Sequence, residues 1–291
     1  MRADGLEVPA LVVGDAVVAL DEAALATGFG LAGFPDVLTL LRHWDEVGPT
    51  VRSIAARATE MKAAGELRGV ERHNLAAPIP RPGKVICIGR NYAEHAHELG
   101  NDVPSEPMIF AKYATAVTGP FDPIPRPAFV HDMDYEAELV VVVGRGGRDI
   151  DEAVALEHVF GYCCANDVSA RTAQMATGQF VRGKSFDGFC PMGPAILTAD
   201  EVDDVQDLRI TCRVDGDVLQ DARTSSMIFP VARLLAHCSA GTTLEPGDVI
   251  LTGTPSGVAM GRDPSPWLEP GQVCEVEIEG VGRIANPITA G

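Results

Sequence analysis

Short apolar runs, separated by glycine and proline, dominate the pattern of hydrophobic positions along this chain. The strongest run is four consecutive valines between Leu139 and Gly144, and it predicts a buried β-strand over residues 134–144. Similar runs predict strands at 84–89 and 159–167. From residue 195 onward, apolar and polar positions alternate between turns, which predicts a series of short strands.

Helical periodicity is confined to a few segments. One helix is predicted to begin at Asp36, a good N-cap residue, and a second at Pro49, which suits a first helical turn. Further helices are expected at 90–100, 151–157 and 229–238. A hairpin is predicted over residues 11–20. Together these elements indicate an α+β, β-rich fold.

A proline-rich stretch at residues 76–83 reads as a stiff linker. It predicts a small N-terminal domain over 1–78, built from the hairpin and helices, and a larger domain over 79–291. Clusters of residues that could perform catalysis or bind a metal occur only in the second part.

Composition narrows the class of protein. The chain has 291 residues and a formal charge of −18, which disfavours nucleic acid and anionic membranes as partners. Its apolar runs fall short of the ~20 residues of a membrane span, and its start lacks a signal-peptide pattern. Seven scattered cysteines without a C-x-x-C pair indicate reduced thiols. We therefore expect a soluble, cytoplasmic protein.

Three acidic residues occupy every second position just before the valine run. That spacing would point Asp134, Glu136 and Glu138 to one side of the strand, where they would repel one another and lose hydration. A divalent cation would compensate, and carboxylate oxygens favour Mg²⁺, Mn²⁺ or Ca²⁺ over zinc. Asp167, at the end of another predicted strand, is a further candidate ligand. The alternative is an edge strand whose acidic face is solvated.

Two histidines lie in the predicted helix after residue 89. His95 and Glu98, three residues apart, would share one helix face. A carboxylate bound to one ring nitrogen would fix the tautomer and leave the other nitrogen as a general base. The alternative is a solvated polar helix with incidental histidines. His97 has no assignable role.

Two glycine motifs fail the test of context. Residues 28–33 match G-x-G-x-x-G, but they follow a helix-like segment rather than a strand. Residues 178–185 match a phosphate-binding loop, but glycine and proline follow where its helix must run. We therefore reject a nucleotide-binding function.

Five motifs occur in one order: residues 89–98, 134–139, 166–171, 183–187 and 251–255. In these motifs, over residues 84–288, the chain resembles the fumarylacetoacetate hydrolase family, in its bacterial acylpyruvate hydrolase and isomerase branch. The resemblance implies a mixed β-roll core and a homodimer. It also implies Mg²⁺ or Mn²⁺, with Ca²⁺ as a possible substitute, held by Glu136, Glu138 and Asp167.

The same resemblance implies catalytic roles for His95 and Glu98, as a water-activating dyad on a lid, and for Lys184. The substrate-binding positions that it implies are Arg90, Lys112, Arg171, Gln174 and Thr254.

The function that these features predict is metal-dependent hydrolysis of a C–C bond in a small anionic 2,4-dioxo acid, through an enolate. The first alternative is isomerisation or decarboxylation of a related dioxo acid or of oxaloacetate. The second is a family member that binds metal without catalysis. Activated water is needed only for hydrolysis, so the dyad favours the hydrolase.

Overall fold

The computed structural model describes residues 1–3, 5–31 and 33–291. The helices are α1 Leu20–Thr27, α2 Val37–Arg42, α3 Trp44–Ala63, α4 Ala93–Glu98, α5 Arg171–Met175, α6 Val181–Lys184 and α7 Val231–Ser239. The strands are β1 Arg2–Ala3, β2 Leu6–Glu7, β3 Ala10–Val13, β4 Ala16–Ala19, β5 Val70–Glu71, β6 Val85–Gly89, β7 Met108–Lys112, β8 Val117–Thr118, β9 Ile124–Arg126, β10 Met133–Asp134, β11 Ala137–Val143, β12 Val159–Asn166, β13 Ser169–Ala170, β14 Cys190–Thr198, β15 Arg209–Val214, β16 Asp217–Arg223, β17 Val249–Leu251, β18 Val273–Ile278 and β19 Gly282–Ala290.

A seven-stranded mixed sheet forms the centre of the molecule, in the order β7-β6-β17-β11-β12-β14-β8. Strand β17 pairs parallel with β6 and antiparallel with β11. A second sheet, β16-β15-β18-β19-β9, contributes to the larger hydrophobic core. Strand β11 is buried on both faces: Val141 packs into that core and Val140 into a second apolar cluster. The valine run is therefore an interior strand, as its composition predicts.

The N-terminal part contains the sheet β3-β4-β5 and helices α1 to α3. The predicted hairpin is present, and Asp36 caps α2 by accepting a hydrogen bond from the Thr39 amide. The second predicted helix start is wrong, because α3 begins at Trp44 and encloses Pro49. The Trp44 ring packs edge-on against Phe160, with 4.7 Å between ring centroids, a contact that favours a helix start earlier than Pro49.

Two further boundaries differ from the predictions. The strand predicted over 134–144 is interrupted at Tyr135 and Glu136, because β10 pairs with β13 whereas β11 pairs with β12 and β17. The helix expected at 151–157 is a 3₁₀ segment, Glu152–His158. Strands β6 and β12 and helix α7 lie where the pattern places them.

Both rejected glycine motifs have other roles. Gly28 ends α1 in the left-handed conformation, with φ +79°, while Ala32 of that motif lies outside the described residues. The second motif contains α6, and the Lys184 ammonium at its end is bound to carboxylates. Among the described residues, no helix is long and apolar enough to cross a membrane.

Candidate active site

The pairing of β11 with β12 brings the acidic residues together. Their antiparallel register sets Ala137 opposite Asn166, so the start of one strand adjoins the end of the other. The Asp167 amide donates to the Glu136 carbonyl, 2.9 Å away. The carboxylates of Glu136, Glu138 and Asp167 are buried, and each offers an oxygen within 4.8 Å of the others.

Lysines neutralise part of this cluster. The Lys184 ammonium donates to Glu136 Oε2 at 2.6 Å and to Asp167 Oδ2 at 2.8 Å. From the other side, Lys112 Nζ donates to Asp167 Oδ1 at 2.5 Å. All four side chains are buried, so these contacts are strong and rigid.

The carboxylates differ in their tendency to ionise. Burial opposes ionisation of Glu136, but the attraction of Lys184 and Arg171 outweighs it and lowers the pKa of this carboxyl to about 2. For Glu138, burial and the charges of Asp167 and Glu136 raise the pKa well above its usual value. Binding of a proton or a metal cation at Glu138 is therefore favourable.

The acidic cluster has the donor set of a divalent metal site. It consists of three buried carboxylates, the ligand type that Mg²⁺ and Mn²⁺ prefer. Each carboxylate oxygen has two lone pairs, so the lysine contacts leave room for a metal bond. The residues fit the ion that the family resemblance implies.

Asp134 does not join the cluster. The interruption at residues 135–136 breaks the alternation of β-structure, so the expectation that Asp134, Glu136 and Glu138 share one side is wrong for Asp134. Its carboxylate binds Arg171 Nε at 2.8 Å and Nη2 at 2.7 Å.

The predicted dyad is formed on α4. His95 Nδ1 lies 2.8 Å from Glu98 Oε1, and the Gly257 amide donates to Glu98 Oε2 at the same distance. The His95 side chain is buried and lines a cavity, whereas Glu98 contacts the His95 ring but does not line the cavity. Nδ1 faces the carboxylate, so Nε2 remains the nitrogen available to a bound molecule.

That cavity, of about 130 Å³, collects most of the predicted site residues. Those that line it are Arg90, His95, Glu136, Arg171, Gln174, Lys184 and Thr254. Its remaining wall is largely apolar and includes Met108, Phe110 and Phe180. The site is therefore charged where the carboxylates lie and hydrophobic elsewhere.

Lys112 is the exception among the predicted substrate-binding residues. Its ammonium is fully buried against Asp167 and the Val168 carbonyl and does not line the cavity. Arg171 does line it, and its Nη1 donates to Gln174 Oε1 at 2.9 Å. Arg90 follows β6 with φ +56°, a left-handed conformation that few non-glycine residues adopt.

Comparison with known proteins identifies the family. Residues 84–289 match the model of the fumarylacetoacetate (FAA) hydrolase C-terminal domain. The chain belongs to this family. It is 43% identical over 256 residues to "Oxaloacetate tautomerase fahd2, mitochondrial" of Xenopus laevis, covering 87% of this chain and 80% of the relative.

Two solved structures extend the likeness. The 5-carboxymethyl-2-hydroxymuconate delta-isomerase of Mycobacterium smegmatis is 43% identical, with a TM-score of 0.66, covering 75% of this chain and 82% of that one. The fumarylacetoacetate hydrolase of Exiguobacterium antarcticum is 34% identical, with a TM-score of 0.78, covering 100% and 98%. The predicted family and β-rich α+β fold are confirmed, and the chain is a member of an enzyme family.

The contacts of some polar residues in this family member have no signal in the sequence. Gln220, in β16, donates to Thr254 Oγ1 at 2.8 Å and accepts from the Ala137 amide. The Thr254 hydroxyl hydrogen is thereby free to point into the cavity. Asn166 accepts a hydrogen bond from the Glu136 amide, where the strand is interrupted. Both act across elements distant in sequence, which local patterns do not reveal.

Proposed function

We propose that this protein interconverts tautomers or double-bond isomers of a small 2-oxo acid by moving a proton at the carbon next to the oxo group. The observation that carries this proposal is one cavity that contains His95, backed by Glu98, together with the Arg171 and Lys184 cations. The similarity to a tautomerase and an isomerase, each 43% identical, supports it.

The size of the cavity favours a small substrate. At about 130 Å³ it lies below the roughly 300–1,000 Å³ of sites for drug-sized ligands. Arg90 and Arg171 give this acidic protein positive groups at the cavity, which suit a substrate carboxylate. The proposed class is therefore a short 2-oxo mono- or diacid such as oxaloacetate.

The acidic cluster is proposed to hold Mg²⁺ or Mn²⁺ through Glu136, Glu138 and Asp167. When bound, the ion would supply Lewis-acid polarisation of the substrate's oxygens. Lys184 and Lys112 keep Asp167 oriented from both sides, so the ligand set is rigid before any ion arrives.

The protein's own part in the reaction is proton transfer. His95 Nε2 takes the proton from carbon 3 of the acid. The C–H electrons form the C2–C3 double bond, and the C2–O π electrons move onto oxygen. Glu98 stabilises the resulting imidazolium, and the positive charge of Lys184 stabilises the enolate oxygen. Return of the proton to that oxygen completes the enol and restores His95.

A second candidate is hydrolysis of an acylpyruvate. The apolar wall formed by Met108, Phe110 and Phe180 favours it, because an acyl substituent would find hydrophobic contacts there. In that reaction the His95–Glu98 dyad would deprotonate a water molecule instead of carbon.

One panel tests both candidates. With Mg²⁺ present, oxaloacetate tautomerisation is followed by loss of enol absorbance, and acylpyruvate cleavage by pyruvate release. We expect His95→Ala to lose about 10²–10⁴-fold in the activity that the native protein shows. His97→Ala is the matched control, since His97 is exposed on the same helix and does not line the cavity. Native protein that acts on neither substrate, or His95→Ala with full activity, would contradict the proposal.

A further inference from the structure

The loop that follows β17 contacts the dyad. We call residues 253–260 the linking loop. The Gly257 amide donates to Glu98 Oε2 at 2.8 Å, and the other oxygen of that carboxylate holds His95. Gly257 has φ +104°, and a Cβ there would lie 2.2 Å from the Leu219 carbonyl oxygen. The position therefore requires glycine, and its amide is held in place.

The far end of the same loop binds Asp134. The Ala259 amide donates to Asp134 Oδ1 at 2.7 Å and the Met260 amide to Oδ2 at 3.0 Å. Oδ2 also accepts from Arg171 Nε, and Oδ1 from the Tyr135 amide. These four hydrogen bonds occupy the roughly four lone-pair sites of this buried carboxylate. Asp134 is thus saturated and has no capacity for a metal or substrate.

The two contact points of the linking loop, Gly257 on Glu98 and Ala259 on Asp134, are close together and rigidly joined. Val258 alone separates Gly257 from Ala259, and both Val258 and Ala259 are fully buried. A displacement of Gly257 is therefore transmitted to Ala259, because no flexible residue lies between them.

We propose that the linking loop and Asp134 form one positioning unit, which holds the His95–Glu98 dyad and the Arg171 guanidinium in a single arrangement. Asp134 is a positioning residue, since it acts through Arg171 and the loop. The roles of His95 as base and Arg171 as substrate contact rest on the proposed function. The mechanical coupling between them does not.

Amide hydrogen exchange tests the coupling without any substrate. In Asp134→Asn, the amide side chain keeps the shape but cannot accept from all the donors. We expect exchange to become ~10-fold faster or more at residues 257–260 and also in α4, because hydrogen bonds to a charged carboxylate are lost. Asp132→Asn is the matched control: Asp132 accepts from the Thr172 amide beside Arg171 but does not contact the loop. Unchanged exchange in α4 of a folded Asp134→Asn would overturn the proposal.

The reciprocal variant covers the case in which Asp134→Asn fails to fold. Coupling between two sites acts equally in both directions, so Glu98→Gln is expected to speed exchange at the Ala259 and Met260 amides. No change there would overturn the proposal.

Kinetics adds a second readout for Asp134→Asn. A rise in KM of about tenfold together with a fall in kcat is expected, since both Arg171 and the dyad shift. A merely structural role would reduce the amount of active protein and leave KM unchanged, which would overturn the proposal. If the native protein is inactive on the panel, the proposed function fails, while the exchange results still decide the coupling.

Discussion

Glu138 differs from its two neighbours in the acidic cluster in what its carboxylate contacts. Glu136 and Asp167 each bind a lysine, whereas Glu138 accepts from the Gly253 amide. Burial and adjacent negative charge raise its pKa. Its ionised form is therefore costly to the folded protein until a cation is added.

Glu138→Gln should consequently have opposite effects with and without metal. In chelator, the variant should melt at the same temperature as the native protein or higher, because glutamine keeps the acceptor for Gly253 and removes an unfavourable charge. In excess Mg²⁺ the native protein should gain thermal stability by mass action, and the variant should gain little. Equal stabilisation of both proteins by Mg²⁺, in differential scanning fluorimetry, would refute the ligand role of Glu138.

A substitution at Lys112 tests how much the buried Lys112–Asp167 pair contributes to stability. Lys112→Met removes one of the two cations on Asp167 and leaves a buried negative charge less compensated. We expect a loss of about 3 kcal/mol in the free energy of unfolding, since breaking a buried pair is strongly destabilising. Urea denaturation measures it. Lys62→Met, at a lysine paired with the exposed Asp15, serves as the control and should change stability by less than about 0.5 kcal/mol. Similar values for both variants would show that Lys112 is dispensable.

Among the elements, the strand interruption at Tyr135 and Glu136 explains why only part of the site could be predicted. Apolar runs predicted β6, β11 and β12, because strand burial leaves a local signal. The change of pairing partner that ends β10 depends on β13, 35 residues further along the chain, so the spacing pattern predicts the wrong side for Asp134. Residue spacing predicted an acidic metal site and the His95–Glu98 pair, and motif resemblance assigned their roles. The contact of Gln220 with Thr254 has no local sign.

The segment between β8 and β9 provides a test at this scale. Asp122 binds the Arg2 guanidinium, the Thr118 hydroxyl and the Gly119 amide, and so connects the start of the chain to the part that matches the family model. Burial opposes its ionisation, but these hydrogen bonds outweigh burial and lower its pKa below the usual 3.8. Its stabilising effect is therefore complete above 3.8 and is lost as the pH falls through the lowered pKa.

Asp122→Asn should cost about 1–2 kcal/mol in the free energy of unfolding at neutral pH. The difference from the native protein should shrink as the pH is lowered from 3.8 through the lowered pKa of the native carboxyl, because that carboxyl becomes protonated. Urea titrations across this range provide the measurement. A difference that is constant with pH would mean that the charge of Asp122 does not contribute.

For the whole molecule, we propose a homodimer, the assembly that the family resemblance implies and the commonest closed symmetry. Light scattering at micromolar concentration should give twice the 30.7 kDa of one chain. A mass of a single chain would contradict the dimer. Residence in the cytoplasm likewise stays a prediction.

The central position of β17 has a consequence for synthesis of the chain. This strand is made late, at Val249–Leu251, yet it lies between β6 and β11, which are made more than a hundred residues earlier. Until it has been made, β6 and β11 each have one unpaired edge. The linking loop, with the Gly253 amide that binds Glu138, follows soon after β17, so the candidate site is also completed late in synthesis. We therefore expect the nascent chain to expose these two strand edges until residue 251 has been made.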